Sequence, residues 1–199
     1  MENLSEIYEL KKQVIQARLK EFRELPEDKY LDELLFCTLT PQSQAKKCWD
    51  AVIELNKIKN KNKHNVADVL KSRTRFHNNK ARYILYNIES WKKIQEQLSN
   101  PDIIELRNWL AENVQGFGLK ESGHFLRNIG KSNNRIAILD RHILRNLKNF
   151  NVIESDEIRN KKHYAEMEDK FIEFSNKIGI PVDELDLLFW SNENGDIFK

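Results

Sequence analysis

The sequence predicts an all-α protein, a two-lobed helical bundle. Apolar residues recur three and four positions apart along most of the chain, and long alternating β-branched runs are absent. Only six glycines and four prolines punctuate 199 residues, and they fall where a bundle needs breaks. That length fits one ordinary domain or two small lobes and suffices to bury roughly 70% of the unfolded surface.

The elements follow in order. Ile7, Leu10, Val14, Ile15, Leu19 and Phe22 give one apolar face to a helix over about Leu4 to Phe22. Lys29 to Leu39, with Tyr30, Leu31, Leu34, Leu35 and Phe36, reads as a buried helix. Thr40 followed by Pro41 resembles an N-cap with proline at the first helical position, opening a helix through Ala45, Trp49 and Val52 to Leu55. The lysine-rich stretch Asn56 to Asn65 reads as a solvated loop, or as one that contacts phosphates. Short helices are expected at Val66–Lys71 and Asn79–Trp91. Asn100, Pro101 and Asp102 then start a helix carrying Ile103, Leu106, Trp109, Leu110 and Val114 on one face. Further helices are expected over Asp140–Leu147, Asn160–Ile178 and Asp183–Trp190. No internal repeat and no long linker appears, so residues 1–199 read as one domain of two helical lobes.

Composition narrows the function. Thirty-three basic against 31 acidic residues leave a formal charge of +2, although 32% of residues are charged. A polybasic protein that binds by charge alone is excluded, and so is an acidic disordered chain; any nucleic-acid site is a local patch. No apolar run approaches the roughly 20 residues that cross a membrane. The N-terminus lacks the apolar segment of a signal peptide. Cys37 and Cys48 lie in apolar stretches without metal-type spacing and read as reduced core thiols, with a cytoplasmic location as the default.

The segment Val114-Gln115-Gly116-Phe117-Gly118-Leu119-Lys120-Glu121-Ser122 carries the most chemistry. A helix ends before Gly-x-Gly and a second amphipathic helix begins at once, which describes a helix–hairpin–helix over about residues 103–130. Gly116 and Gly118 permit a tight turn and close backbone approach, and the N–H groups that open the second helix suit a DNA phosphate. An ordinary helix–helix turn has the same pattern. Lys120 stands in the first helical turn, where the macrodipole disfavours a cation and pushes an amine toward its neutral form. It reads either as that reactive group or as a surface lysine. Twenty residues on, Ile136-Ala137-Ile138-Leu139 delivers Asp140 to the start of another helix, where an N-cap explains it as well as chemistry does.

These residues resemble the helix–hairpin–helix DNA glycosylase superfamily. More closely, GFGLKESGHFLRNIG with ILDRHILR, the stretch LTPQSQA and the ending ELDLLFW…GDIFK are similar to the archaeal-type 8-oxoguanine DNA glycosylase/AP lyases, over roughly Glu33 to Lys199. The hairpin departs from the common Leu-Pro-Gly by reading Val114-Gln115-Gly116. The cysteines of the iron–sulfur branch are missing.

The resemblance implies an active site in the cleft between lobes and a bifunctional enzyme that excises 8-oxoguanine from double-stranded DNA. Lys120 is the implied nucleophile that forms a Schiff base, and Asp140 the carboxylate that stabilises the sugar cation and helps move a proton. Trp190 and Lys199 are implied in reading the base, Trp190 by stacking. Beside Lys199, the terminal carboxylate is an acceptor for the N7–H that guanine lacks. Phe76, Gln42 and Ser43 are candidates for the rest of the pocket, although capping and packing explain them equally. Lys80, Arg82, Arg127, Lys131, Arg135 and Arg141 are candidate phosphate contacts, each against a default of solvated surface. His124, on the face of Lys120, reads as structural before catalytic, and Asp186 and Phe189 as core. No cofactor is expected beyond a possible monovalent cation at the hairpin backbone, and a monomer is expected. The alternatives are the same fold acting on another damaged base, and a non-catalytic helix–hairpin–helix DNA-binding module.

Overall fold

A computed structural model describes residues 2–195 and 197–199, with side chains except at positions 2, 3, 193 and 194. Among the described residues the regular structure is wholly helical. The helices are α1 (Glu2–Arg23), α2 (Tyr30–Leu39), α3 (Ala45–Asn56), α4 (Lys63–Lys71), α5 (His77–Glu89), α6 (Trp91–Gln97), α7 (Ile103–Asn113), α8 (Leu119–Asn128), α9 (Arg141–Asn149), α10 (Lys161–Ile178) and α11 (Val182–Asn194), with one 3-10 turn at Glu27–Lys29. They form two compact units, one of residues up to Leu25 together with Leu126–Lys199, the other Pro26–Phe125.

In the first unit α1 buries Leu4, Tyr8, Ile15, Leu19 and Phe22, while Leu10 and Val14 are 85% and 58% exposed. The apolar face expected from spacing is therefore rotated. Polar anchors set the rotation: Tyr8 OH donates to Glu184 Oε2 at 2.6 Å, and Lys11 Nζ to Ser191 Oγ at 3.0 Å and Asn192 Oδ1 at 2.8 Å, all on α11. Phe174, Phe150, Phe189 and Phe171 then stack in that order, with successive centroids 5.8, 5.8 and 6.2 Å apart. Past the end of α8, Gly130 has φ +70, and a Cβ there would lie 2.5 Å from the Arg23 backbone. The left-handed conformation and the close passage of α1 both demand glycine.

The second unit is built on α2, which is buried at Leu34, Leu35, Phe36, Cys37 and Leu39, with Cys48, Ala51, Val52 and Leu55 of α3 against it. Both cysteines are buried thiols outside any disulfide, and burial pushes Cys48 up to about 11. Thr40 does not open α3. It closes α2, its N–H donating to Phe36 O, and Pro41–Ser43 form a turn closed by Ser43 N–H to Thr40 O at 3.0 Å. Gln42 has φ +54, outside helical geometry, so the helix waits until Ala45. The expected polar loop is shorter than its composition suggests, because Asn62 and Asn65 form a reciprocal capping box that starts α4 at Lys63. Among the described residues no helix is long and apolar enough to cross a membrane.

Candidate active site

The candidate side chains fall into two groups, one in each unit. In the second unit α7 starts on Asp102, whose carboxylate accepts from Ile104 and Glu105 N–H, and it runs to the hairpin. Gly116 has φ +85, and a Cβ on it would meet the Tyr83 ring at 2.8 Å, so glycine is required twice over. Gly118 differs from expectation: its φ lies outside the left-handed range, and its N–H, where a phosphate was anticipated, donates to Glu121 Oε2 at 3.1 Å. Glu121 is the third helical residue reaching back to the N-cap amide, half of a capping box.

The other oxygen of that carboxylate lies 2.8 Å from Lys120 Nζ. Lys120, a third exposed, is thus not an isolated amine but is held by Glu121, itself anchored to the hairpin. His124, one turn on, packs edge-on against Phe36 with centroids 5.6 Å apart.

One face of α5 supports this assembly. Asn87, fully buried, accepts from Gln115 N–H at 2.9 Å and donates to Gln115 O at 3.0 Å and to Thr38 Oγ1 at 3.2 Å, which clamps the hairpin. Tyr83 forms the floor beneath Gly116. Lys80, one turn earlier, is 4% exposed and cannot be the phosphate contact expected of it. Its Nζ donates to Leu39 O at 2.7 Å, Pro41 O at 2.8 Å and Ser43 Oγ at 2.9 Å. Burial lowers this ammonium to about 8. The Cys48 thiol opposes the shift, and repulsion from Arg75 and Lys120 adds to it. Ser43 Oγ also accepts from Arg75 N–H at 3.0 Å. Gln42 and Ser43 therefore lie in a turn rather than at a helix start. Phe76, 54% exposed, caps α5 with φ +57, a conformation that costs a non-glycine residue about 1–2 kcal/mol.

In the first unit the apolar segment before α9 is fixed by α10. Glu168 Oε1 accepts from Ala137 N–H at 2.7 Å, and Tyr164 OH donates to Ala137 O at 2.8 Å. This delivers Asp140 to the N-cap of α9. Its Oδ1 accepts from His142 N–H at 2.8 Å and Ile143 N–H at 2.9 Å, and its Oδ2 accepts from Trp190 Nε1 at 3.1 Å. Trp190 therefore orients Asp140 as well as offering a ring. Lys199 is half-buried, as are Ile197 and Phe198 before it.

Arg127 is the clearest correction among the phosphate candidates. It is 3% exposed, pairs with Asp186, and donates from Nε and Nη2 to Asn128 Oδ1 at 3.2 and 3.1 Å, with Phe22 stacked 5.6 Å from its guanidinium. A guanidinium so enclosed meets no phosphate. Asp186 is core, as its sequence suggests, and burial raises its carboxyl against the pull of Arg127. Arg141, Arg135 and Arg82 are exposed, and Lys131 is half-buried.

The second unit presents an amine just past a clamped hairpin, and the first a capped carboxylate bonded to an indole; these are the kinds of group that lysine-based N-glycosyl chemistry needs. The 8-oxoguanine DNA glycosylase family model, with its helix–hairpin–helix, matches residues 15–180. An 8-oxoguanine DNA glycosylase/AP lyase of Fusobacterium nucleatum is 40% identical, covering 98% of this chain and 96% of that protein. The enzyme of the same name from Methanocaldococcus jannaschii is 31% identical, over 98% and 99%. The crystal structure of the 8-oxoguanine DNA glycosylase of Thermotoga maritima superimposes with a TM-score of 0.90 at 29% identity, covering 100% of this chain and 97% of that one. The M. jannaschii glycosylase/lyase, in complex with a 15mer DNA containing 8-oxoguanine, gives 0.88 at 28% identity with both chains covered in full. The chain belongs to the 8-oxoguanine DNA glycosylase family.

Proposed function

We propose that this protein is a DNA glycosylase/AP lyase that excises 8-oxoguanine from duplex DNA. The observation that carries the reading is Lys120 in the first turn after the hairpin, held by Glu121 to the hairpin's own amide. The Lys120 amine attacks C1′ of the damaged nucleotide, the bond from C1′ to N9 breaks, and the base leaves with a proton. The sugar ring opens to an iminium that acidifies the C2′ proton; its removal expels the 3′ phosphate, and water then frees the lysine. Asp140 keeps one oxygen on two backbone amides, and its negative charge offsets the charge that builds on the sugar.

In the second unit Phe76 is a candidate aromatic face for an extruded base, with Gln42 and Ser43 in the adjoining turn as polar partners; in the first unit the candidate is Trp190. Gly116, Arg82, Lys131, Arg135 and Arg141 remain as candidate phosphate contacts. No cofactor takes part in these steps. A monovalent cation at the hairpin would take backbone carbonyls as ligands, and those of Gln115 and Gly118 already accept from Asn87 and Ser122. The enzyme acts as a monomer in the cytoplasm, on the nucleoid.

The test is borohydride trapping across duplexes carrying 8-oxoguanine, guanine and other damaged bases. A covalent protein–DNA adduct is expected with 8-oxoguanine above all. A DNA-binding module without catalysis gives none with any duplex, and a preference for another lesion moves the reading to that base. Lys199→Ala is expected to narrow the 8-oxoguanine/guanine preference more than it weakens binding to an abasic duplex. Competition trapping against guanine-containing DNA measures this, and an unchanged preference removes Lys199 from base reading.

A further inference from the structure

We propose that Lys80 is a positioning residue for recognition of the damaged nucleotide: its buried Nζ joins the Leu39–Ser43 turn to the Arg75–Phe76 turn through Ser43 Oγ, fixing Gln42 and Phe76 as a preformed pair on the surface of this unit. The inference rests on the glycosylase reading above. It begins from an imbalance. A lysine buried to 4% ordinarily has a carboxylate beside it, yet the three acceptors at this Nζ are two backbone carbonyls and a hydroxyl, all neutral. An apolar side chain would fill the volume without the desolvation penalty. What the ammonium supplies is three donors for three acceptors, a junction that no neutral side chain of this length reproduces.

The junction acts on two turns at once. Ser43 Oγ, held by Lys80, accepts from the backbone N–H of Arg75, so displacement of one turn displaces the other. Each turn contains a non-glycine residue in the left-handed region, Gln42 at φ +54 and Phe76 at φ +57. Both side chains are exposed, so burial of these side chains does not explain the strain. Strained residues held by their surroundings are a mark of sites organised before the ligand arrives. An exposed phenyl ring matches a base face, and a carboxamide matches donors and acceptors on a base edge.

The titratable and charged groups that face Lys80 are Cys48 of α3, Arg75 of the turn before α5, and Lys120 of α8. As the pH passes about 8, Lys80 gives up its proton and keeps two donors for its three acceptors, so the junction loosens.

The test compares two single-turnover rates between about pH 6 and 9: excision from an 8-oxoguanine duplex, and strand cleavage at a preformed abasic site. Both use Lys120, so their ratio isolates the reading of the base. Lys80→Met is expected to lower the ratio of excision to cleavage by about 10- to 100-fold, the scale of an ångström-sized misplacement. In the wild type the ratio falls as the pH rises through about 8, whereas in Lys80→Met it is low and flat. Ser43→Ala, which removes one acceptor and the link to Arg75, shifts the ratio the same way by less, and it decides the matter if Lys80→Met does not fold. A wild-type ratio in the variants, or equal losses of both rates, overturns the inference and leaves Lys80 a stabilising residue. A wild-type protein that excises no 8-oxoguanine overturns the glycosylase reading itself, before any variant is made.

Discussion

Replacing Lys120 with glutamine removes the borohydride adduct and lowers excision of 8-oxoguanine by roughly 10³-fold or more, the scale expected when a covalent nucleophile is lost. Glutamine approximates the reach of the lysine, and its amide still donates to Glu121, so the hairpin keeps its anchor. The side chain is a third exposed and contributes little to packing, which leaves the thermal unfolding midpoint and duplex binding near wild type. What disappears is the amine lone pair and, with it, any imine for borohydride to reduce. Single-turnover excision beside a trapping gel measures both quantities. An adduct that persists in the variant assigns the Schiff base to another amine.

Asp140→Asn separates the two duties of that carboxylate. Asparagine caps helices about as well as aspartate, so its carbonyl can accept from His142 and Ile143 N–H and the cost to α9 stays below about 1 kcal/mol. The second oxygen becomes an NH2 group facing the indole N–H of Trp190, two donors where a donor met an acceptor. Base release is expected to slow by about 10²- to 10³-fold from the lost charge, while duplex affinity holds. Excision rates, binding by fluorescence anisotropy and a thermal melt together check this. Unchanged turnover would leave Asp140 a helix cap alone.

Much of this was legible in the residues. The hairpin glycines, the caps at Asp102, Asp140 and Asn160, and the apolar spacing of α7 and α10 are local signals, and each element forms where its signal lies. The signals that failed depend on distant partners. Nothing near Leu10 and Val14 shows that Tyr8 and Lys11 are claimed by α11, so the face of α1 is placed wrongly from spacing alone. Arg127 follows the hairpin as a phosphate contact would, and only the carboxylate of Asp186, 59 positions away, shows it to be core. Lys80 is given the wrong role, and Tyr83 and Asn87 are missed, for the same reason. They are polar residues at helical spacing on a face that also carries Ala81 and Ile84, a pattern that reads as solvated surface until its partners at Leu39, Gly116 and Gln115 are seen. Glu121 had a usable sign in its third helical position, where a carboxylate can reach back to the N-cap amide.

The bond between the Trp190 indole and Asp140 has a further consequence for binding. A tryptophan free at its second side-chain torsion would have to stop turning before a base could lie flat on it, and that lost freedom would be charged against affinity. Here the ring is pinned by its edge to a carboxylate that is itself held by two amides of α9. The orientational entropy has been surrendered during folding, so a base stacked there, as proposed, would meet a plane already at rest.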